Sequence, residues 1–550
     1  MEHAPTGHAA DDAPGPANYV PLSPVSLLHR AADIYPSKIA VIDGERRFSY
    51  TEFRARCCRL ASALVARGIG RGDTVAVLAP NTSAMLEAHF GVLMAGAVLN
   101  AINIRLDAPT IAYCLRHGKA RILLADTEFA ALTRAALAQL DAPPPVVDIH
   151  AEGFDAHISD TTYEALLSGA DPAFRGPGAQ DEWQTVSLLY TSGTTGNPKG
   201  VLYHSRGAYL NALSNALITG LTPECVYLWT LPMFHCNGWT YPWAVTAVGG
   251  THVCLRKIDA GAIFELIERE RVTHLHGAPV VLNLLIHAPA EQKRPITHRV
   301  DIGVGGAPPP SRVIADMERL GVHVTHLYGT TETYGPSAIC AWQTDWHTQP
   351  ADAQARLRAR QGVRMLAQED IQVVDTLSGQ PVPADGETLG EVLLRGNAVM
   401  KGYLDNRDAT ATALADGFYH TGDLAVRHAD GYFEIRDRAK DIIISGGENI
   451  ASIEVEEALY QHPDILEAAV VAAPDARWGE VPCAFITLRE GATLSPEAIQ
   501  QFCRERLAHF KSPRHILFGP LTKTATGKVQ KFALRAQARA HVDATTGVPS

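Results

Sequence analysis

One loop of the chain is rich in hydroxyl groups and glycine and ends in a lysine. The run LLYTSGTTGNPKG covers residues 188–200, and its polar part offers closely spaced backbone N–H groups and hydroxyls, as a polyphosphate requires. The residues that would supply these donors are Thr191, Ser192, Gly193, Thr194 and Thr195. The run is not a Walker loop, because Pro198 follows Gly193 where that pattern has its second glycine. From these residues alone it is either a phosphate-binding loop of another kind or a surface turn, and the role of Lys199 stays open.

Four further stretches bring polar or charged side chains together with glycine. They are PMFHCNGW (232–239), VGGAP with HLYGTTETYG (304–335), YHTGDLA with DRAKDIIISGGENI (419–450), and KTATGKVQKFALR (523–535). Gly305, Gly306 and Ala307 have little or no side chain, so backbone and ligand can approach closely there. The two carboxylate oxygens of Asp423 suit a vicinal diol, and the guanidinium of Arg438 suits a ribose or a phosphate.

The elements that must position these residues alternate between strand and helix for most of the chain. FSYTEFRARCCRLASALVARG predicts a helix with a capping box formed by Ser49 and Glu52 and an end at Gly68. DTVAVLAPN predicts a buried parallel strand. A strand followed by a helix is predicted again over residues 251–272 and 300–321. Such alternation predicts an α/β fold in which helices flank parallel-type sheets.

The sequence pattern changes from about Asp370, where short strands with polar turns predict a smaller β-rich subdomain. A compact α+β segment follows and ends in a polar tail. We therefore predict a disordered leader over residues 1–18 and a large N-terminal domain over 19–437. A hinge over 438–440 and a small mobile C-terminal domain over 441–550 complete the prediction.

Composition excludes several classes of protein. The chain has 550 residues, 46% hydrophobic and 19% charged, and a net charge of −11, which argues against nucleic acid as a main partner. No stretch reaches the ~18 apolar residues of a membrane span, and the acidic N-terminus has no apolar core of a signal peptide. Nine cysteines without a C-x-x-C pair indicate reduced thiols, and with them a cytoplasmic location.

The ordered set YTSGTTGNPKG, YGTTE, YHTGD, DRAKD and TGK resembles the adenylate-forming superfamily of acyl-CoA synthetases, nonribosomal peptide adenylation domains and luciferases. The resemblance covers residues 19–535, and PMFHCNGWTYPW with HLYGTTETYGPS looks most similar to short- and medium-chain acyl-CoA ligases, including methylmercaptopropionate-CoA ligases. It implies two steps. A carboxylate attacks the α-phosphate of ATP to give an acyl-adenylate and pyrophosphate, and coenzyme A then displaces AMP. The implied partners are the small carboxylic acid, ATP and CoA, and a homodimer is a further expectation.

The resemblance also implies roles for single residues. Lys528 would be catalytic, because an ammonium between the substrate carboxylate and the α-phosphate screens their repulsion. Glu332, together with Thr191, would hold Mg²⁺, a hard cation that prefers oxygen ligands. Lys199 would assist at the departing phosphates or anchor the loop. The remaining nucleotide and CoA contacts would come from Gly305, Gly306, Ala307, Tyr328, Gly329, Thr330, Thr331, Asp423, Ile435, Arg438, Gly446 and Gly447.

The acyl group would lie against His235, Trp239, Gly305, Tyr334 and Gly335, and Lys440 would be the hinge residue between the two domain arrangements. His235 would be a gate at the acyl pocket that touches the carboxylate in the first step and admits pantetheine in the second, and a packed core histidine is the alternative. Mostly apolar walls favour an aliphatic or thioether acid of short to medium length, with an aromatic acid second. The other classes that remain are a free-standing module that loads a carrier protein, a luciferase-like oxygenase and a non-catalytic nucleotide-binding relative.

Overall fold

The computed structural model describes residue 15 and residues 17–178, 180–191, 198–523 and 529–546. In chain order, the strands before the hinge are β1 (Ile39–Asp43), β2 (Arg46–Ser49), β3 (Thr74–Leu78), β4 (Val98–Ala101), β5 (Ala120–Asp126), β6 (Val146–Ile149), β7 (Thr185–Tyr190), β8 (Gly200–His204), β9 (Val226–Leu228), β10 (Thr251–Cys254), β11 (His274–Gly277), β12 (Val300–Val304), β13 (Val322–Thr330), β14 (Gly335–Ile339), β15 (Val363–Arg364), β16 (Gln368–Val374), β17 (Gly390–Gly396), β18 (Gly402–Tyr403), β19 (Tyr419–Arg427) and β20 (Phe433–Arg438).

The helices of the same part, in chain order, are α1 (Val25–Ile34), α2 (Tyr50–Ala66), α3 (Ser83–Met94), α4 (Ala108–His117), α5 (Ala130–Leu137), α6 (Tyr163–Ser168), α7 (Ser205–Ile218), α8 (Cys236–Trp239), α9 (Tyr241–Val248), α10 (Ala260–Arg269), α11 (Pro279–Ile286), α12 (Ser311–Arg319), α13 (Ala351–Ala359) and α14 (Arg407–Ala413). The predicted capping box is present at α2, where the Ser49 hydroxyl accepts from the Glu52 N–H and the Glu52 carboxylate accepts from the Ser49 N–H.

Two large sheets form the centre of this part. One has seven strands in the order β18-β8-β7-β4-β3-β5-β6, and the other has nine in the order β15-β14-β13-β12-β11-β9-β10-β1-β2. The inner pairs are parallel, whereas β7/β8, β8/β18, β1/β2, β13/β14 and β14/β15 are antiparallel. The main hydrophobic core contains buried residues of α2, α3, α7 and α9, so both sheets are covered by helices as the alternation predicts.

The predicted β-rich subdomain is the antiparallel sheet β16-β17-β19-β20. After the predicted hinge come β21 (Ile443–Ser445), β22 (Glu448–Ile450), α15 (Ser452–Tyr460), β23 (Ile465–Asp475), β24 (Gly479–Leu488), α16 (Pro496–Arg504), β25 (His515–Phe518) and α17 (Lys531–Thr546). The large α/β domain with a β-rich subdomain and a smaller α+β domain confirms the predicted fold class. The exact domain boundaries stay a prediction, although β20 ends at Arg438 and β21 begins at Ile443.

The polar tail predicted at the C-terminus is wrong for residues 531–546, which form α17. Leu534, Ala538 and Val542 recur at every fourth position and are buried against the small domain's second hydrophobic cluster. These apolar residues form a narrow stripe, and most other residues of the helix are polar or charged. The segment therefore looks polar in composition although one face of the helix is apolar. The predicted leader lies largely outside the described residues.

Candidate active site

The site lies where β12 and β13 end and where the loop after β9 begins, at the carboxyl edge of parallel strands. Immediately after β13, the turn that carries Glu332 is tied into the fold from two directions. The Glu332 carbonyl accepts the Met400 N–H at 2.7 Å, and its Oε1 accepts the Tyr403 hydroxyl at 2.9 Å. The Lys199 Nζ lies 4.7 Å from the centre of the Tyr403 ring, and the Lys199 carbonyl accepts the Thr191 N–H at 3.0 Å. Tyr403 therefore links Glu332 to the ends of the glycine-rich loop.

The Glu332 side chain suits the cation that the family implies. A carboxylate has about four lone-pair sites, so its bond from Tyr403 leaves oxygen capacity for a metal. Among the residues that the structure describes, no cluster of three His, Cys, Asp or Glu side chains could hold a metal alone. A cation at Glu332 would then complete its coordination with substrate phosphates and water, as Mg²⁺ commonly does.

Three of the predicted nucleotide residues form one network, in which Tyr328 and Asp423 are buried and Arg438 is half-buried. The Tyr328 hydroxyl donates to Asp423 Oδ2 at 2.7 Å, and Arg438 Nε lies 2.9 Å from Asp423 Oδ1. The antiparallel register of β19 and β20 pairs Asp423 with Arg438 directly. The Tyr328 ring meets Phe433 edge-on at 5.7 Å and shares its cluster with Ile435. Each Asp423 oxygen keeps a second lone pair, which leaves room for two ribose hydroxyls.

The electrostatics of this network favour a charged ion pair with a neutral phenol. The Asp423 carboxylate raises the pKa of Arg438 above its usual value. Burial, and after it the same carboxylate, raises the pKa of Tyr328 well above its usual value, so the phenol stays protonated and donates.

Trp239 fills the space between two glycines at the predicted acyl site. A Cβ built on Gly305 would lie 2.9 Å from the far edge of the indole, and one built on Gly335 would lie 2.9 Å from its near side. Gly335 also has a φ of +100°, which only glycine adopts readily. Trp239 is 5% exposed, and its ring meets the buried His276 ring at 6.0 Å. The absence of a side chain at both glycines thus leaves space for the large indole of Trp239.

Three residues near Trp239 differ in how deeply they are buried and in what they contact. His235 is half-buried and directly precedes the turn that carries Trp239. Cys236 is buried, and burial raises the pKa of its thiol to about 12, so the thiol is protonated at neutral pH and unsuited to nucleophilic attack. Tyr334 is fully buried, stacks on Tyr203 at 3.8 Å, and its hydroxyl donates to the His204 carbonyl. The Tyr334 side chain thus supports the site from behind.

The other predicted residues lie around this centre or outside the described residues. Gly305 is buried, Gly306 is exposed, Ala307 is half-buried, and Gly329, Thr330 and Thr331 continue from Tyr328 at the end of β13. Gly446 and Gly447, in the turn between β21 and β22, are exposed to solvent in this arrangement. Lys440 is exposed, and its carbonyl accepts a bond from Arg535 of α17. The residues outside the described part of the chain are Ser192, Gly193, Thr194, Thr195 and Lys528.

Several side chains at this site have no signal in the sequence. Tyr403 bonds Glu332 from 71 positions away. Asn211 and Asn215 donate to the segment that carries Trp239. Asparagines in a helix and a tyrosine after a glycine are ordinary in composition, so only the tertiary contacts single them out.

The chain belongs to the AMP-binding enzyme family, whose model matches residues 28–404, and the model of the AMP-binding enzyme C-terminal domain matches residues 454–528. It is an acid–thiol ligase of the AMP-forming type. The chain is 48% identical over 550 residues to the peroxisomal acetate/butyrate–CoA ligase of Arabidopsis thaliana, covering 96% of this chain and 97% of that one. It is 46% identical to the 2-methylpropanoate–CoA ligase of Humulus lupulus, with 98% and 99% covered.

A solved structure agrees with these relatives. The crystal structure of an anthranilate CoA ligase in complex with anthranoyl-AMP matches with a TM-score of 0.82 at 25% identity, over 96% of this chain and 99% of that one. The chemistry of acyl-adenylate formation followed by transfer to CoA, inferred from the motifs, is confirmed.

The predicted cytoplasmic location is wrong as it stands. The acetate/butyrate–CoA ligase and three further plant relatives, at 44–45% identity, are peroxisomal proteins. A missing secretory signal and unpaired cysteines do not distinguish the cytoplasm from the peroxisome, because peroxisomal import depends on a short targeting signal that a receptor recognises and not on amino-acid composition. Within the described ranges, no helix is long and apolar enough to cross a membrane.

Proposed function

We propose that this ligase activates short aliphatic carboxylic acids, from acetate to butanoate and their branched isomers. The observation that carries the proposal is the Trp239 indole between Gly305 and Gly335, which occupies the space that a longer chain would need. The acetate/butyrate and 2-methylpropanoate specificities of the two plant relatives support it. The sequence indicates an acid of short to medium chain length, and the position of Trp239 favours the shorter acids in that range. Aromatic acids are the second candidate, because two further plant relatives are a benzoate–CoA ligase and a trans-cinnamate:CoA ligase.

The side chains then divide the first step between them. Tyr328 would contact the adenine, and Asp423, held by Arg438, would accept the ribose hydroxyls. Glu332 and Thr191 would hold Mg²⁺, which supplies charge neutralisation at the phosphates when bound. Lys199, anchored on Tyr403, would stay near the departing pyrophosphate.

Two lysines and a histidine complete the scheme. Lys528 would bring its ammonium between the carboxylate and the α-phosphate, where it stabilises the charge that develops in the transition state. His235, which lies next to Trp239 in sequence, would orient the carboxylate and then admit the pantetheine thiol. Rotation at Lys440 would bring Gly446 and Gly447, now exposed, against the thiol arm.

A panel of acids tests the proposal. The purified protein is incubated with ATP, Mg²⁺ and CoA, and with acetate, propanoate, butanoate, 2-methylpropanoate, hexanoate, octanoate or benzoate, and the thioester is measured by chromatography. We expect the highest kcat/KM among the first four acids and a sharp fall at hexanoate. A maximum at octanoate or benzoate would contradict the proposal. AMP release without any thioester would instead indicate loading of a carrier protein.

A further inference from the structure

The backbone that presents Trp239 is in a conformation that L-amino acids rarely adopt over several residues. Five consecutive residues have positive φ: Cys236 at 46°, Asn237 at 43°, Gly238 at 51°, Trp239 at 53° and Thr240 at 64°. Only one of the five is glycine, and a β-branched threonine in this region is an outlier. α8 is thus a left-handed helical turn, which costs free energy at each non-glycine residue. It persists only if its surroundings hold it.

Two asparagines on one face of α7 provide that hold. Asn215 Nδ2 donates to the Trp239 carbonyl at 2.8 Å and to the Thr240 hydroxyl at 2.9 Å. Asn211, one helical turn earlier, donates from Nδ2 to the Thr240 hydroxyl at 3.4 Å and to the Tyr334 carbonyl at 3.3 Å. Asn211 and Asn215 are both fully buried. The pair therefore ties the left-handed turn to the residue that precedes Gly335, the opposite wall of the acyl site.

A second network holds the turn at Asn237. The Ser187 hydroxyl donates to Asn237 Oδ1 at 2.6 Å, and Asn237 Nδ2 lies 3.3 Å from His89 Nε2. His89 Nδ1 lies 2.8 Å from the Met85 carbonyl, so Nδ1 carries the proton and Nε2 accepts. Burial lowers the pKa of His89 to about 4, which keeps this neutral arrangement at physiological pH. The turn is thus fixed through its side chain on one side and through its backbone on the other.

We propose that Asn211 and Asn215 are positioning residues that set the acyl-length limit of this ligase. By holding the left-handed turn against Tyr334, they keep the Trp239 indole between Gly305 and Gly335. Without them the turn relaxes, the indole leaves the floor of the site, and longer acids enter. The inference rests on the proposed preference for short acids and extends it to residues that need not touch the substrate.

The test compares Asn215→Leu with the wild-type protein over acetate, butanoate, hexanoate and octanoate. Leucine has the same branched heavy-atom skeleton as asparagine but no hydrogen-bonding groups. Loss of one or two hydrogen bonds should raise the KM for acetate roughly fivefold to thirtyfold. The same conversion of free energy into a ratio of rates predicts that kcat/KM for hexanoate relative to acetate rises about tenfold or more. The KM values for ATP and CoA should stay within about twofold of the wild-type values.

Asn100→Leu is the matched control. Asn100 is fully buried, and neither amide atom has a hydrogen-bond partner among the residues that the structure describes, so the same substitution there breaks no bond. We expect the wild-type chain-length profile from it. A general effect of placing leucine in the core would change both variants alike.

Thr240→Gly supplies the rescue. Glycine populates the left-handed region freely, so in the Asn215→Leu background it should restore part of the preference for acetate. If Asn215→Leu fails to fold, Asn211→Leu replaces it, because that variant loses the bonds to the Thr240 hydroxyl and the Tyr334 carbonyl. Thr240→Gly alone loses the shared hydroxyl but keeps the bond from Asn215 to Trp239, and should keep the short-acid profile.

The outcomes separate the two proposals. An unchanged chain-length profile in Asn215→Leu, or an equal fall in kcat for every acid with unchanged KM, would overturn this inference and leave the proposed function standing. A wild-type protein that prefers octanoate would overturn both. A shift towards hexanoate that Thr240→Gly reverses is the supporting result.

Discussion

Replacing Trp239 by glycine should convert this enzyme from short acids to longer ones. The indole is 5% exposed and lies against Gly305 and Gly335, so its removal opens space directly at the floor of the acyl site. Glycine is a better choice than alanine here, because residue 239 has a φ of 53°. The substitution therefore removes the side chain without adding backbone strain.

The magnitude follows from the area that the substrate can then bury. Each additional methylene removed from water contributes about 0.8 kcal/mol, or about fourfold in kcat/KM. From butanoate to octanoate, the variant should gain about fourfold per methylene until the new space is full. Acetate loses its apolar wall and should fall about tenfold, because a single missing methylene-sized contact is worth about 1–3 kcal/mol in a pocket.

Stability should fall less than for an ordinary core tryptophan. Deleting a buried tryptophan side chain costs about 3–5 kcal/mol, and relief of one left-handed residue returns about 1–2 kcal/mol. We expect a net loss of about 1–4 kcal/mol in the free energy of unfolding, measurable by urea titration. Thioester formation across the acid panel is the activity assay. A folded variant that still prefers acetate would refute the argument that Trp239 limits chain length.

Three further predictions concern other parts of the site and the fold. Lys528→Ala should reduce adenylation roughly 10²–10³-fold and leave CoA transfer to preformed acyl-adenylate largely intact; equal loss of both half-reactions would contradict the assignment. Tyr328→Phe removes a bond to the Asp423 carboxylate worth about 1.5–3 kcal/mol, so the KM for ATP should rise roughly tenfold to a hundredfold with the KM for the acid unchanged; an unaltered KM for ATP would count against the ribose site. Burial lowers the pKa of four histidines to about 4 or about 3, and protonation in the unfolded chain then destabilises the fold as pH decreases from 6.5 to 4. These are His89, His204, His252 and His326. At about pH 5 each should cost about 2 kcal/mol, and urea titrations that show constant stability over this window would exclude the effect.

Much of the fold could be predicted from the sequence, because it depends on patterns among neighbouring residues. The capping box at α2, the alternation of strands and helices, and the β-rich segment after residue 370 all follow from periodicity and turn residues. The terminal helix α17 was missed because three apolar residues at every fourth position are a weak signal in a polar composition. That stripe becomes informative only when the sheet that covers it is known.

The motif residues were readable for a different reason. Asp423, Arg438 and Tyr328 carry functional groups that suit a nucleoside, and the structure brings them together through the β19–β20 register and the end of β13. The sequence did not show that Tyr328 donates to Asp423, since they are 95 positions apart. Nor did it show that the Tyr334 ring is buried and stacked on Tyr203.

The sequence by itself determined the class of reaction and the order of the elements, because motifs with fixed spacing and hydrophobic periods are properties of neighbouring residues. Only the tertiary structure decided what surrounds the predicted acyl site. There Asn211 and Asn215 hold a left-handed turn, and the Trp239 indole lies between Gly305 and Gly335. These contacts join segments up to 123 positions apart. A strained backbone has no signature in composition, because its surroundings, and not its own residues, stabilise it.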